Sequence, residues 1–302
     1  MTAELPDRQR SPGSARVLNT WLREAQTKTG VGEKRMGWLL ASTVAVAALQ
    51  RAIGSDQQPL FLLKGGLLME FHLGLSARVT KDVDALFRGE LANFESALDA
   101  AIAEPWGPFT LQRTAVEEIA GARRLVKPRR FDLKLLIKGA VWRRIKIEVS
   151  FPEGRIAEGA EPVPAPNAGF FGIMTPDHLA GIAMAYQVAQ KLHACTDPDE
   201  PPAFLNDRVR DVVDLLLIRD RFYPALASAS VRAACVDVFD ARAAEARAVD
   251  LPTRGWPPRL VVPNDEWKRA YPALAESVGI SLTLEQAVAE LGEWVEAIEQ
   301  AG

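Results

Sequence analysis

Cysteine and histidine are both scarce in this chain, two of the first and three of the second among 302 residues. Cys195 and Cys235 are too few for a disulfide scaffold and lack metal-type spacing, so a reducing, cytoplasmic setting is the expectation. His72, His178 and His193 have no partner spacing for zinc, and no Ser-His-Asp or Cys-His order suggests an acyl-transfer nucleophile. Long apolar runs are missing too. The longest, 38–49, contains Ser42 and Thr43 and is too short to cross a bilayer, so no membrane association is expected. No secretory signal is expected either, because the first residues are polar and include Pro6 and Pro12. Positive charge is not in excess: 36 Lys and Arg against 39 Asp and Glu leave a net charge of −3. Any nucleic-acid surface must therefore be a local patch. No internal repeat is visible. What remains is an ordinary globular composition, 48% hydrophobic and 25% charged, long enough for two lobes.

One stretch carries chemistry. Residues 61–63 are a short apolar run of a buried strand, followed by Lys64-Gly65-Gly66. A short helix is expected over 67–75, and Arg78-Val-Thr80-Lys81-Asp82-Val-Asp84 leads into a second strand. A period of two places Asp82 and Asp84 on one face, with Val83 on the other. Neighbouring carboxylates repel unless a cation sits between them, and a hard divalent ion such as Mg2+ commonly brings phosphate with it. Glycines ahead of a helix let backbone N–H groups approach a triphosphate with no Cβ in the way. Thr80, two residues before Asp82, shares its face if the strand begins there, and its hydroxyl would then meet the same phosphates. An Asp-x-Asp pair alone also occurs on exposed strand edges; the upstream glycines favour the functional reading.

Along the rest of the chain, residues 1–13 read as a disordered tail. Helices are expected over 16–28, 34–53 and 91–102, and strands over 109–116, 122–126, 130–137 and 142–151. In the last strand Ile145, Ile147 and Val149 share one face and Lys146 and Glu148 the other, which brings Glu148 beside the aspartates. The proline-bearing stretch 152–168 reads as a linker, and beyond it helices are expected over 176–196, 207–220, 231–248, 265–278 and 283–300. Gln187, Gln190, Lys191 and Ala194 share a face of the first, and Asp207, Asp211 and Asp214 a stripe of the second. Trp267, Tyr271 and Trp294 read as core.

Lys64-Gly65-Gly66 followed by Asp82-Val-Asp84 resembles the signature of the DNA polymerase β-like nucleotidyltransferases. With Arg78, Thr80 and Lys81 added, it is similar to the AbiEii/AbiGii toxin branch, which includes the MenT-type tRNA-modifying toxins. Gln190-Lys191-Leu192-His193-Ala194 and Arg210-Asp211-Val-Val-Asp214-Leu215 resemble that branch's two C-terminal motifs. The likeness covers roughly 60–220. It implies an α+β fold, a polymerase β-like mixed sheet with flanking helices over 14–168, and a helical C-terminal lobe over 169–302. It implies Mg2+ on Asp82, Asp84 and Glu148, where Glu148 either completes the cluster or helps deprotonate an acceptor hydroxyl. Lys64, Gly65, Gly66, Thr80 and Lys191 would hold the triphosphate, with Lys191 neutralising its β/γ charge. Asp214 would either orient Lys191 or contact the nucleotide. The implied partners are an NTP, a tRNA or other RNA acceptor, and a cognate antitoxin.

The run from Arg123 to Arg130 places five cations, Arg123, Arg124, Lys127, Arg129 and Arg130, within eight residues and no acid among them. Such a patch suits a phosphate backbone, or else a solvated hairpin end. His193, two residues after Lys191, is a further candidate for substrate contact. The reading is a metal-dependent nucleotidyltransferase toxin acting on RNA. Its rivals are a catalytically inactive module of the same fold that binds RNA or protein, and a small-molecule nucleotidyltransferase. Retention of both glycines, both aspartates and Lys191 speaks against the first, and the basic run against the second.

Overall fold

The computed structural model describes residues 5–74, 77–120, 124–201, 204–222, 226–259 and 263–301. Its strands are β1 (Phe61–Lys64), β2 (Val83–Phe87), β3 (Thr110–Arg113), β4 (Glu117–Glu118), β5 (Arg129–Ile137), β6 (Ala140–Ser150), β7 (Ala160–Pro164) and β8 (His178–Ile182). They pair into one mixed sheet in the order β3-β5-β6-β2-β1-β8-β7, with β4 beside β5. β2 runs parallel to β6 and β1 parallel to β8; the remaining neighbours are antiparallel. The central strands β1 and β2 bury nearly every side chain, as strands covered on both faces do. β5 and β6 alternate instead, and they are joined at Lys138 and Gly139, whose φ of 51° and 79° match the turn that follows the twist of a hairpin.

Among the described residues the helices are α1 (Ala15–Thr29), α2 (Glu33–Leu49), α3 (Gly65–Leu73), α4 (Phe94–Ile102), α5 (Met184–Cys195), α6 (Val209–Arg221), α7 (Ser228–Ala248), α8 (Asp265–Ser277) and α9 (Leu284–Glu299). Their ends follow the capping residues. The Ser14 hydroxyl accepts from the Val17 N–H, Gly30 closes α1, and Thr283 and Gln286 form a capping box at α9. A single apolar cluster runs from Leu18 to Ile298, through the sheet and the C-terminal helices alike. Each Leu or Phe in it contributes about 1.5–3 kcal/mol by leaving water. Trp267, Tyr271 and Trp294 are all buried in it.

Four segments differ from expectation. Residues 178–182, expected to be helical, form β8 beside β1, where Leu179 and Ile182 are buried, so the sheet draws on chain beyond 168. The supposed linker contributes β7, whose Pro162 and Pro164 are tolerated because β7 is an edge strand and needs N–H donors on one side only. Residues 5–13 lie against the body of the chain: the Arg8 guanidinium stacks over Trp21 and Phe170, at 4.4 and 4.8 Å, and the Ser11 hydroxyl donates to the Gly172 carbonyl. Of the strand expected over 122–126, residues 122 and 123 lie outside the described residues, and 124–126 form an irregular bend.

Candidate active site

Strand register builds the first half of the site. Lys64, Asp84 and Glu148 are cross-strand neighbours on β1, β2 and β6, and Arg130 follows on β5. Asp82 precedes β2 by one residue, yet its carboxylate meets Lys146, two residues before Glu148, at 3.0 Å. Arg130 donates from Nε and Nη2 to Glu148 Oε1, at 3.0 and 2.8 Å. The Lys64 ammonium donates to the Ser150 hydroxyl at 3.0 Å. Burial pushes the Asp84 carboxyl above the usual carboxylate range; Lys64 pulls it back and Glu148 adds to the rise. The same burial lowers the Lys64 ammonium.

Oxygen donors in register on adjacent strands, with a third on the same face, fit a hard divalent cation chemically. Among the described residues no three acidic or histidine side chains converge on one point. Asp82 and Glu148 are instead turned to cations of the protein itself. These pairs are part-exposed, and such pairs are worth about 0–1 kcal/mol, so a divalent ion would displace them at little cost.

The turn after β1 supplies the second component. Gly65 has a φ of 69°, and a Cβ there would overlap the Asp84 carboxylate, so no other residue fits. The Gln187 side chain, from α5, accepts from the Gly65 N–H at 3.1 Å and donates to the Gly65 carbonyl at 3.0 Å. Gly66 is packed tightly though less closely, since a Cβ would stand 3.0 Å from the Thr80 hydroxyl. Thr80 does not lie in the strand. β2 begins at Val83, and the buried Thr80 hydroxyl donates to the Asp82 carbonyl at 3.3 Å from the preceding loop.

The third component comes from α5 and α6. Lys191 donates to Asp211 Oδ1 at 2.7 Å and to Asp214 Oδ2 at 2.6 Å. Asp214 also takes a two-point bond from Arg78, with both contacts at 2.9 Å. Asp211 and Asp214 converge because they are three apart on one helix face. Asp214 is 1% exposed. Burial alone would raise its carboxyl, but Lys191 and Arg78 outweigh that and hold it below the usual range. Burial likewise works against the Lys191 ammonium, and Asp211 and Asp214 more than restore it. Asp214 is thus bonded to Lys191 and to Arg78.

These components meet in one cleft of about 630 Å³, lined among others by Lys64, Gly65, Gly66, Asp84, Glu148 and Lys191. Thr80, Asp82 and Asp214 are not among its lining residues. Its far wall carries Arg124, His193, Arg242 and Arg254. Behind that wall Glu153 binds Arg242, Arg124 and Gln190; burial opposes its charge, yet Arg242 and Arg124 bring its carboxyl down to about 2. Burial, then Arg254 and Arg242, push the His193 ring down to about 2, so it is neutral. Glu153, Arg242 and Arg254 left no trace in the sequence, since they sit in the supposed linker, in α7 and in an irregular loop. Gln187 did leave one: it lies one helical turn before Lys191.

The basic run is largely paired. Arg124 meets Glu153 and Glu245, Arg129 meets Glu118, and Arg130 meets Glu148, so acids of neighbouring elements neutralise what looked like an open stripe. Lys127 has no ion-pair partner among the described residues, and Arg123 lies outside them.

Comparison with known proteins agrees with this geometry. No curated protein matches the sequence. Among solved structures, MenT4, a nucleotidyltransferase toxin from Mycobacterium tuberculosis, is 14% identical with a TM-score of 0.52, over 95% of this chain and 97% of its own. That likeness shows a shared nucleotidyltransferase fold. The antibiotic-resistance factor ANT(2'')-Ia is 15% identical over 71% of this chain and 96% of its own, and its TM-score of 0.37 is too low to carry an argument. No described helix is long and apolar enough to cross a membrane. Residues 47–293 match the family described as nucleotidyl transferase AbiEii toxin of type IV toxin–antitoxin systems, and the chain belongs to that family.

Proposed function

We propose that the cleft transfers a nucleoside monophosphate from an NTP to a hydroxyl of RNA, with the 3′ end of tRNA as acceptor. In this reading the chain acts in the cytoplasm as a growth-blocking toxin restrained by a cognate antitoxin. The supporting observation is that one cleft joins the Asp84–Glu148 pair, the Gly65-Gly66 turn and the buried Lys191. Asp82, Asp84 and Glu148 would hold Mg2+, which supplies charge neutralisation at the phosphates and polarises the attacking oxygen. The N–H groups that open α3 and the Lys191 ammonium face the charge that develops on the leaving group. The acceptor oxygen bonds to the α-phosphorus, the bond to the bridging oxygen breaks, and pyrophosphate leaves with its electron pair. Glu148 is at hand for the hydroxyl proton. Thr80 backs Gly66, and the run through Arg124, Lys127, Arg129 and Arg130, with Arg123, would meet the acceptor backbone by exchanging acids for phosphates.

A second reading, a small cationic acceptor, draws on the acids at the cleft, among them Glu200, Asp207 and Glu245. Incubation with each α-labelled NTP, Mg2+ and total RNA separates the two. One labelled RNA band, lost on adding EDTA, is expected. Folded protein that labels no RNA with any NTP would overturn the RNA reading.

A further inference from the structure

We infer that Gln187 is a positioning residue for the nucleotide: its amide holds Gly65 against Asp84 and ties α5, the helix that carries Lys191, to the end of β1. The inference rests on the nucleotidyl-transfer reading and assigns work within that site to a side chain that makes no chemistry of its own.

Gln187 is 1% exposed, yet it lines the cleft. Both ends of its amide are spent on one residue, accepting from the Gly65 N–H at 3.1 Å and donating to the Gly65 carbonyl at 3.0 Å, and so hold the peptide units on both sides of its Cα. Neighbouring antiparallel strands exchange bonds in the same two-point way. The side chain thus continues the ladder one residue past the end of β1, where β8 and β1 pair at Gly181 and Leu63. The chain there needs a clamp. Gly65 sits at a φ of 69°, a region glycine enters as freely as it leaves, so nothing in the residue itself fixes its peptide. The same residue lies so close to Asp84 that a Cβ would overlap the carboxylate, so any rotation of that peptide disturbs the acid.

Two consequences follow for a bound triphosphate. The Gly65 N–H is already occupied, so the N–H groups of Gly66 and Leu67, which no carbonyl within α3 reaches, are the ones left for phosphate. Lys191 stands one turn further along α5, about 6 Å up the helix. Gln187 anchors α5 on the sheet and Lys191 anchors it on α6, while Gln190 grips Glu153 at 2.6 Å. The ammonium is held by Asp211 and Asp214, and the helix that carries it is held to the Gly65 end of β1. A Gln buried only to fill space would leave its amide to whatever polar group lay nearest. This one takes both polar groups of the single residue that abuts the acid.

The test is Gln187→Met, which keeps length and removes both bonds. Two quantities are read well below the melting temperature, affinity for α,β-methylene analogues of the four NTPs with Mg2+ and hydrogen exchange of the Gly65 amide by NMR; the melting temperature is the third. The expected result is a Kd about tenfold higher, Gly65 exchange at least tenfold faster, and a folded protein. A purely structural role would lower melting and leave the Kd of the folded fraction alone. If the Met variant does not fold, Gln187→Glu keeps the acceptor for the Gly65 N–H and loses the donor, and the same Kd rise is expected from it. Faster Gly65 exchange with an unchanged Kd overturns the positioning role, as does unchanged exchange. Wild-type protein that binds none of the analogues overturns this inference and the nucleotidyl-transfer reading together, and a slow-exchanging Gly65 in that protein shows that the clamp itself survives.

Discussion

Two acids and two cations make up the sheet row, Lys64, Asp84, Glu148 and Arg130, and two acids and two cations make up the helix network, Arg78, Asp214, Lys191 and Asp211. Their order differs. In the network the signs alternate, every carboxylate touches an ammonium or guanidinium at 2.6–2.9 Å, and Asp214 is sealed from water. In the row the two acids are neighbours in register, with the cations at its ends. An alternating, buried set is complete as it stands. A row with like charges in the middle and part-exposed partners at one end has room for another cation. The same residue types thus make a closed network on the helices and, on the proposed reading, an exchangeable site on the sheet.

Removing one carboxylate from each set should break this comparison in opposite directions. Asp84→Ala should lower transfer at least a thousandfold, above about 4 kcal/mol in barrier, because on the proposed reading it removes a metal ligand. It should leave metal-free stability equal or higher. The sign follows from the raised Asp84 carboxyl: folding disfavours its charged form, so the penalty is absent in acid and fully present at neutral pH, where the mutation relieves it. Wild-type turnover in that variant would remove Asp84 from the site. Asp214→Ala should instead cost about 3–5 kcal/mol in denaturant unfolding, since Lys191 and Arg78 are left buried without their partner. Asp214 has a lowered carboxyl, so its contribution is present above pH 3.8 and fades as pH falls through the folded value. Acid should therefore narrow the gap between this variant and wild type.

The cationic wall beside both sets gives a smaller effect. The His193 ring is held neutral down to about 2 against 6.5 unfolded, so the unfolded chain takes up a proton first as pH falls. Stability should drop by about 1.4 kcal/mol per pH unit below 6.5 on this account. His193→Gln should flatten urea midpoints between pH 6.5 and 4.5, a window above the one where Glu153, at about 2 against 4.5, begins to lose its contribution. The half-buried His72 ring, also lowered, adds to the slope that remains. An unchanged slope in the variant would mean that the wall exerts no such field on His193.

The row was legible in the sequence because a strand repeats every two residues: Asp82 and Asp84, and Lys146 and Glu148, each declare a shared face. The Lys191 and Asp214 motifs were legible only through resemblance, since a buried lysine and a surface lysine read alike. β8 was missed because Leu179 and Ile182 fit a helix as well as a strand, and only the vacancy beside β1 decides between them. β7 was missed because prolines signal a break, a signal that fails on a sheet edge. The pairing of Arg124, Arg129 and Arg130 depends on Glu245, Glu118 and Glu148, two of which lie close in sequence and one on a distant helix. Composition along the run carries no such information.

The central claim is that the row and the network act on opposite ends of one triphosphate, which divides at the α-phosphorus. Parallel reactions with α-labelled and γ-labelled NTP, Mg2+ and tRNA test it most directly. The account predicts α-label on the 3′ end of the RNA and γ-label released as pyrophosphate. γ-label on the RNA, or neither label on it with folded protein, would contradict the account.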